Sequence, residues 1–384
     1  METAAPPSSR LADFPPATPI LLVRLRSLGD IVLLTPALRL LKQWRPDLRL
    51  SLLVESRFKE LLKMIPEVDE ALTLRDPSGD GSAFQIARVI RRHQFQLCLN
   101  LHGGPTSHFL TALSGARWKA GFAHFRMKRI YDLLIPDARL ILRQPQIHTA
   151  EHQAAALFWL DMPSAPLPRS RLVVHAEDLE WWETERVLLD LPHDCPYAVL
   201  HPAALYATKQ WPPERFAQLG EYLEKQAGLM PLYSVGPGES ATLDAVQRSS
   251  PRPIRRLEGA TLGQLAAALQ GARLFVGNDS GPAHMAQALG VPAVVIFGSS
   301  SSVIWGPWPR EDRNHRTWVV QNEYPCNPCP GDHCYRYPKP ECILSVSLEQ
   351  VQQAVESLLR TTATASESVP QTPPSFVPER QKGE

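Results

Sequence analysis

The sequence has no long apolar run. Nothing in it approaches the roughly 18 consecutive apolar residues that cross a bilayer, and the opening METAAPPSSRLADFPPATP lacks the apolar centre of a signal peptide. These absences predict a soluble, cytoplasmic chain. Excess charge of one sign is missing as well: 40 Lys and Arg stand against 39 Asp and Glu, a formal net charge of +1. That excludes the general basic footprint of a nucleic-acid binder. Cysteine is scarce and uneven, with four of the six falling between Cys326 and Cys342.

What is present is a globular composition. With 384 residues, 44% of them hydrophobic, the chain is long enough for two domains with sizeable cores. Residues 1–18 and 361–384 are rich in Pro, Ser, Thr and Ala and are expected to be disordered tails. Between them, short apolar runs alternate with amphipathic segments. PILLVRL reads as a strand, and the helix after it starts at either Asp30 or Thr35. LRLSLLVE and FQLCLNLH are strands, and RFKELLKMIP and AFQIARVIRRHQ are helices. A second series runs from Tyr197: strands YAVLHPAA, LMPLYSVG, RLFVGN and PAVVIFG, with helices PERFAQLGEYLEKQAG, LGQLAAALQGA and GPAHMAQALG between them. SLEQVQQAVESLLR is a closing amphipathic helix, free to pack on either half. Such alternation predicts an α/β protein of two doubly wound, Rossmann-like halves, divided at the Pro-rich stretch near Met162 to Arg169 into residues 19–165 and 166–360.

VGNDSGPAHMAQALGVPAVVIFG, Val276 to Gly298, places an acid, a hydroxyl, a glycine and a histidine between two strands. In open α/β sheets ligands bind beyond the carboxyl ends of the strands. A helix N-terminus there attracts phosphate. Gly281 lets backbone approach a ligand and Pro282 suits a first helical position, while Asp279, Ser280 and His284 can line the same crevice. Taken alone, Asp279 or Ser280 is as readily a simple helix cap.

The longer match is more specific. This stretch resembles the C-terminal signature of the ADP-heptose:lipopolysaccharide heptosyltransferase family, D-[ST]-G-x-x-H-x-A-x-A-L-G-x-P. RLRSLGDIVLLTPAL, HPAALYATKQWPPERFAQL, VGPGE and LEGATLGQLAAAL are similar to the family's other segments, in order, so the resemblance covers roughly residues 20 to 358. It departs from the family after FG, where SSSS replaces Pro-Thr, a change that bears on base or sugar selectivity.

The resemblance implies a GT-B glycosyltransferase whose N-terminal half receives the acceptor and whose C-terminal half holds an ADP-sugar. It also implies inversion of the anomeric centre without a catalytic metal. On the family pattern Asp30 is the candidate base and Lys209 the cation facing the leaving diphosphate. Asp279, Ser280, Gly281 and His284 form the donor cradle, with Thr208 and His201 beside it. For the acceptor, expected to be a lipid-linked inner-core oligosaccharide bearing carboxylates and phosphates, the basic cluster with Arg117, Arg126 and Lys128 is the candidate surface, joined by His102 and Ser107. Such an acceptor implies transient contact with the inner-membrane surface, and no nucleic-acid partner is expected.

Cys326, Cys329, Cys334 and Cys342 have a spacing that allows a structural zinc, with His333 as a spare ligand. No cofactor is expected in the chemistry. Two other readings stay open at this level: a sugar-nucleotide epimerase of similar layout, and a catalytically inactive nucleotide-sugar-binding protein.

Overall fold

A computed structural model of the chain describes residues 8–74, 83–310, 316–329 and 331–367. Apolar residues crowd the strands and meet helices on both faces, which is why the strands are buried and parallel rather than half-solvated. The first half contains β1 (Pro19–Val23), β2 (Arg49–Glu55), β3 (Glu70–Leu74), β4 (Leu97–Asn100), β5 (Trp118–Phe122) and β6 (Leu133–Ile135). They form one sheet in the order β3-β2-β1-β4-β5-β6. The second half contains β7 (Tyr197–His201), β8 (Met230–Ser234), β9 (Arg255–Leu257), β10 (Leu274–Asn278), β11 (Ala293–Phe297) and β12 (Thr317–Gln321). Its order, β12-β11-β10-β7-β8-β9, repeats the first, and every recorded pairing is parallel.

The order reverses on either side of β1 and of β7. Each sheet therefore has its switch point where β1 meets β4 and where β7 meets β10, and the loops leaving those strands line the crevice. Register carries the end residues to the same level: Val23 lies beside Asn100, and Gly277 beside His201.

One apolar cluster is continuous through both halves. It includes Leu22, Leu34 and Ala155 on one side and Phe275, Ala283 and Met285 on the other. Outer clusters complete each sheet, with Leu21, Val23 and Cys98 on the first and Leu200, Trp211 and Ile296 on the second. The closing helix, Leu348–Glu367, packs on the second half through Val351, Ala354, Val355 and Leu358.

Both tails need correction. Ser8 to Thr18 are packed: Leu11 and Phe14 are buried, and Arg45 donates to the carbonyls of Leu11 (2.6 Å) and Phe14 (2.8 Å). Two large apolar residues and one guanidinium fork suffice to order a Pro-rich segment. At the other end the last helix continues to Glu367, past the expected limit at 360. Residues 1–7 and 368–384 lie outside the described residues.

Gly220 shows how tightly the helices seat. It lies inside the helix Pro213–Gln226, where glycine ordinarily costs roughly 1 kcal/mol against alanine, yet a Cβ there would stand 1.9 Å from the Tyr233 hydroxyl. That hydroxyl donates to the Phe216 carbonyl at 3.2 Å. Gly220→Ala is therefore expected to lower stability by about 1–3 kcal/mol, against its helix propensity, with Tyr233→Phe relieving part of the loss. Urea denaturation of the single and double variants reads this directly, and a more stable Gly220→Ala would refute it.

Candidate active site

After β1 the chain turns at Ser27 into the short helix Leu28–Val32, of which Asp30 is the third residue. Its Oδ2 accepts from the Ser27 N–H at 2.9 Å and the Ser27 hydroxyl at 3.0 Å. Its Oδ1 forms an ion pair with Arg24 Nη2 at 2.6 Å, and Arg24 Nη1 also donates to the Leu101 carbonyl beyond β4. Gln153 Nε2 donates to the Asp30 backbone carbonyl at 3.1 Å. The carboxylate is thus a helix cap and also one partner of a buried ion pair at the crevice wall. Of the two predicted starts of the following helix, Thr35 begins a second helical segment, whereas the first segment starts at Leu28, two residues before Asp30.

The second half repeats the plan with opposite charge. In the loop after β7, Lys209 Nζ lies 2.7 Å from Asp279 Oδ2, and the Ser300 hydroxyl donates to the same oxygen. Asp279 follows β10 and is 6% exposed. Its position ties down Lys209. Asn278 fixes both loops, donating to the Pro202 carbonyl at 2.8 Å and accepting from the Trp211 N–H at 3.1 Å. In the first half Asn100, at the matching end of β4, accepts from the N–H groups of His102 (2.9 Å) and Gly103 (3.1 Å).

The helix Gly281–Ala288 opens at Ser280 without a side-chain cap. Simple capping by Asp279 or Ser280 is therefore not what the structure shows. The Ser280 hydroxyl and His284 Nδ1 are both buried without a hydrogen-bond partner, an expensive state for polar atoms. This helix meets the Leu28–Val32 helix of the other half directly. A Cβ on Gly281 would stand 2.4 Å from Leu28 Cδ2, and one on Gly29 would stand 2.6 Å from His284 Cδ2.

Other predicted residues divide by placement. The Thr208 hydroxyl donates to the Gly331 carbonyl and accepts from Ser299 at 3.2 Å, so it anchors the Lys209 loop. His201 is buried against the Ser234 hydroxyl at 3.2 Å, and burial pushes its pKa down to about 4. Neither group is free toward the crevice. Half-buried His102 stands by the Asp30 pair, its pKa lowered by burial and then by the charges of Arg24 and Arg26. Ser107 is buried, accepting from Asn100 Nδ2 at 3.1 Å and donating to the Gly104 carbonyl at 2.8 Å, which leaves it no free contact.

Arg126 and Lys128 are exposed beyond the carboxyl end of β5. They adjoin Phe125, whose ring covers Gly103 at 2.4 Å from a would-be Cβ. Arg117 does not join them. It precedes β5 and lines a cavity with Thr18, Pro19 and Gln96, residues at or just before the starts of β1 and β4, at the opposite end of the sheet from the crevice.

The four clustered cysteines line one small cavity of about 40 Å³ with Thr208 and Ser299, and none forms a disulfide. Among the described residues no group of three or more His, Cys, Asp or Glu is arranged to hold a metal ion, so the thiols converge without making the expected zinc ligand set.

Sequence reading missed Arg24, which pairs with Asp30 in the next turn, and Gln153 and Ser300, each of which matters only through a contact distant along the chain. It also missed His152, whose ring lies 4.2 Å from that of Phe122 and whose pKa is pushed to about 4, chiefly by burial. Asn100 and Asn278 left a usable signal, since each ends the strand that precedes a glycine-bearing loop.

Two parallel sheets whose carboxyl ends face a shared crevice, with a carboxylate from one half and an ammonium from the other, define the GT-B class of glycosyltransferase. The model of glycosyltransferase family 9 (heptosyltransferase) matches residues 83–337. The lipopolysaccharide heptosyltransferase 3 of Escherichia coli K12 is 27% identical over 304 residues, covering 73% of this chain and 82% of the relative. The family 9 glycosyl transferase of Veillonella parvula superposes with a TM-score of 0.77 at 21% identity, covering 90% of this chain and 98% of that one. The E. coli ADP-heptose lipopolysaccharide heptosyltransferase II gives 0.72 at 18%, covering 90% and 100%. The chain belongs to glycosyltransferase family 9.

The Arg24–Asp30 pair is mostly buried, with side chains 12% and 11% exposed. Removing one partner of such a pair typically costs about 3–5 kcal/mol, because the other charge is left uncompensated. Arg24→Ala is expected to lose stability in that range and Arg24→Ala/Asp30→Ala to lose less than the single variant. Additive losses in chemical denaturation would show that the two side chains are not coupled.

Proposed function

We propose that the protein transfers a heptose from ADP-heptose to a lipopolysaccharide inner-core or related glycan acceptor, with inversion and without a metal ion. The observation that carries this reading is the meeting of Asp30 with the Lys209–Asp279 pair on the two sides of the Gly29–His284 contact. Both relatives from E. coli are lipopolysaccharide heptosyltransferases by name, and one name specifies ADP-heptose.

The acceptor hydroxyl attacks the anomeric carbon while Asp30 takes its proton. The bond to the diphosphate breaks, and ADP departs with the electron pair. Asp30 is held in one orientation by Ser27 and Arg24 and so acts without first reorganising. Lys209 faces the growing charge on the diphosphate. The start of the Gly281–Ala288 helix adds the positive end of a dipole, with Ser280 and His284 completing the cradle. These groups supply the cation that a metal provides in other transferases.

Arg126, Lys128 and His102 offer positive charge and hydrogen bonds to the acceptor. A lipid-linked acceptor would bring the protein transiently to a membrane surface. No helix among the described residues is long and apolar enough to cross one.

With ADP-heptose and heptose-deficient lipopolysaccharide, Asp30→Asn is expected to reduce kcat by about 10²–10⁴-fold, the usual contribution of a general base. Lys209→Met is expected to lose about 10²–10³-fold, the scale of one electrostatic stabiliser, while EDTA leaves turnover unchanged. Near-normal turnover of Asp30→Asn, or loss of transfer on chelation, would reject this mechanism. In calorimetry ADP is expected to bind in preference to UDP and GDP, and the reverse preference would move the donor to another sugar.

A further inference from the structure

His284 occupies a position its immediate neighbours do not require. It lies in the first turn of the Gly281–Ala288 helix, is 6% exposed, and has a buried Nδ1 with no partner. The opposite edge of its ring rests on Gly29 of the other half, with Nε2 at 3.1 Å and Cδ2 at 2.6 Å from where a Cβ would stand. The charged and titratable groups that face it are Asp279, Asp30 and Lys209, together with His148.

Those groups are already engaged elsewhere. Asp30 is held by Arg24 and Ser27, and Asp279 by Lys209 and Ser300. His148 Nε2 contacts the Gly306 carbonyl at 2.8 Å, and its Nδ1 accepts from the Ala150 N–H at 3.1 Å. Each carboxylate near His284 therefore has nearer donors, and the imidazole keeps a nitrogen with nothing to bind. Ser280 contributes a second unpartnered polar atom at the mouth of the same helix.

Burial pushes the His284 pKa below its ordinary 6.5. The two carboxylates oppose that shift and Lys209 adds to it. The resting ring is consequently neutral at pH 7. An anion arriving within about 4–6 Å of an imidazole reverses the balance by favouring the charged form.

Resting on the donor site described above, we propose that His284 takes up one proton from solvent as the nucleotide diphosphate seats at the start of its helix. The leaving diphosphate is then met by an imidazolium as well as by the Lys209 ammonium. Keeping the ring neutral between turnovers spares the resting site a buried cation beside Lys209. Binding, and not the resting protein, creates the charge.

The test is calorimetric titration of ADP into the full-length chain at pH 7.5, in buffers of widely different ionisation enthalpy, with adenosine as the phosphate-free control. Wild-type protein is expected to take up close to one proton per ADP and none with adenosine. Its ADP affinity should fall by up to about tenfold per pH unit as the pH rises above 7.5, the slope of a one-proton uptake. His284→Gln, chosen to keep polar bulk against Gly29, should bind ADP more weakly, with no uptake and a flat pH dependence. ADP binding with no buffer-dependent enthalpy in the wild type overturns the proposal. So does uptake that persists in a folded His284→Gln. If the variant does not fold, the wild-type buffer series and pH slope decide alone. Failure of the wild type to bind ADP would instead overturn the donor-site reading itself.

Discussion

The structure depends on one close approach, the glycine contacts between the Leu28–Val32 and Gly281–Ala288 helices. Leu28 fits over Gly281, and His284 fits over Gly29. A side chain at either glycine would force the halves apart at the level where the loops after β1 and β10 end. Because interiors pack to near-crystalline density, that separation would also disturb the continuous cluster from Leu34 to Met285. Asp30 and Lys209 are brought to the same crevice by this contact, although no bond joins them.

The two halves solve one problem with the same topology and opposite charge. In each, the first strand delivers a charged residue: Asp30 after β1, held by Arg24, and Lys209 after β7, held by Asp279. In each, an asparagine ends the neighbouring strand and satisfies loop backbone groups that would otherwise be stranded in a buried turn. The formal near-neutrality of the chain conceals this division. The repeated fold supplies a matched pair of positions, one carrying a carboxylate and the other an ammonium.

The longest apolar runs made most of the architecture readable. β1, β2, β4, β7, β8, β10 and β11 each follow a predominantly apolar stretch, and the order of halves follows from their alternation. β5 was hidden because WKAGF carries a lysine and a glycine, and the eye goes instead to the surrounding basic residues. β3, β6, β9 and β12 are short edge or near-edge strands whose identity comes from the neighbour they pair with. At the candidate site, Asp30, Lys209, Asp279 and His284 were legible because they lie in the loops or first helical turns that follow predicted strands. Arg24, Gln153 and Ser300 were not, since their importance lies in tertiary contacts. Arg117 and Arg126 are close in sequence, yet β5 runs between them and carries them to opposite ends of the sheet. Four cysteines at plausible ligand spacing likewise gave no ligand set among the described residues, because spacing along a chain does not fix where sulfur atoms point.

The cysteine-rich segment has its consequence in local opening. Thr208, the residue before Lys209, is bonded to Gly331, and Ser299 links Thr208 to the Cys329 N–H through its own carbonyl at 3.1 Å. Asn327 adds a bond to the Gly298 carbonyl at 2.7 Å. The lysine loop and the contacts made by Asn327, Cys329 and Gly331 are consequently coupled, and the free energy of local opening is shared between a surface excursion and Lys209. Slow amide exchange at Cys329 is, in this molecule, a measure of how firmly Lys209 is held.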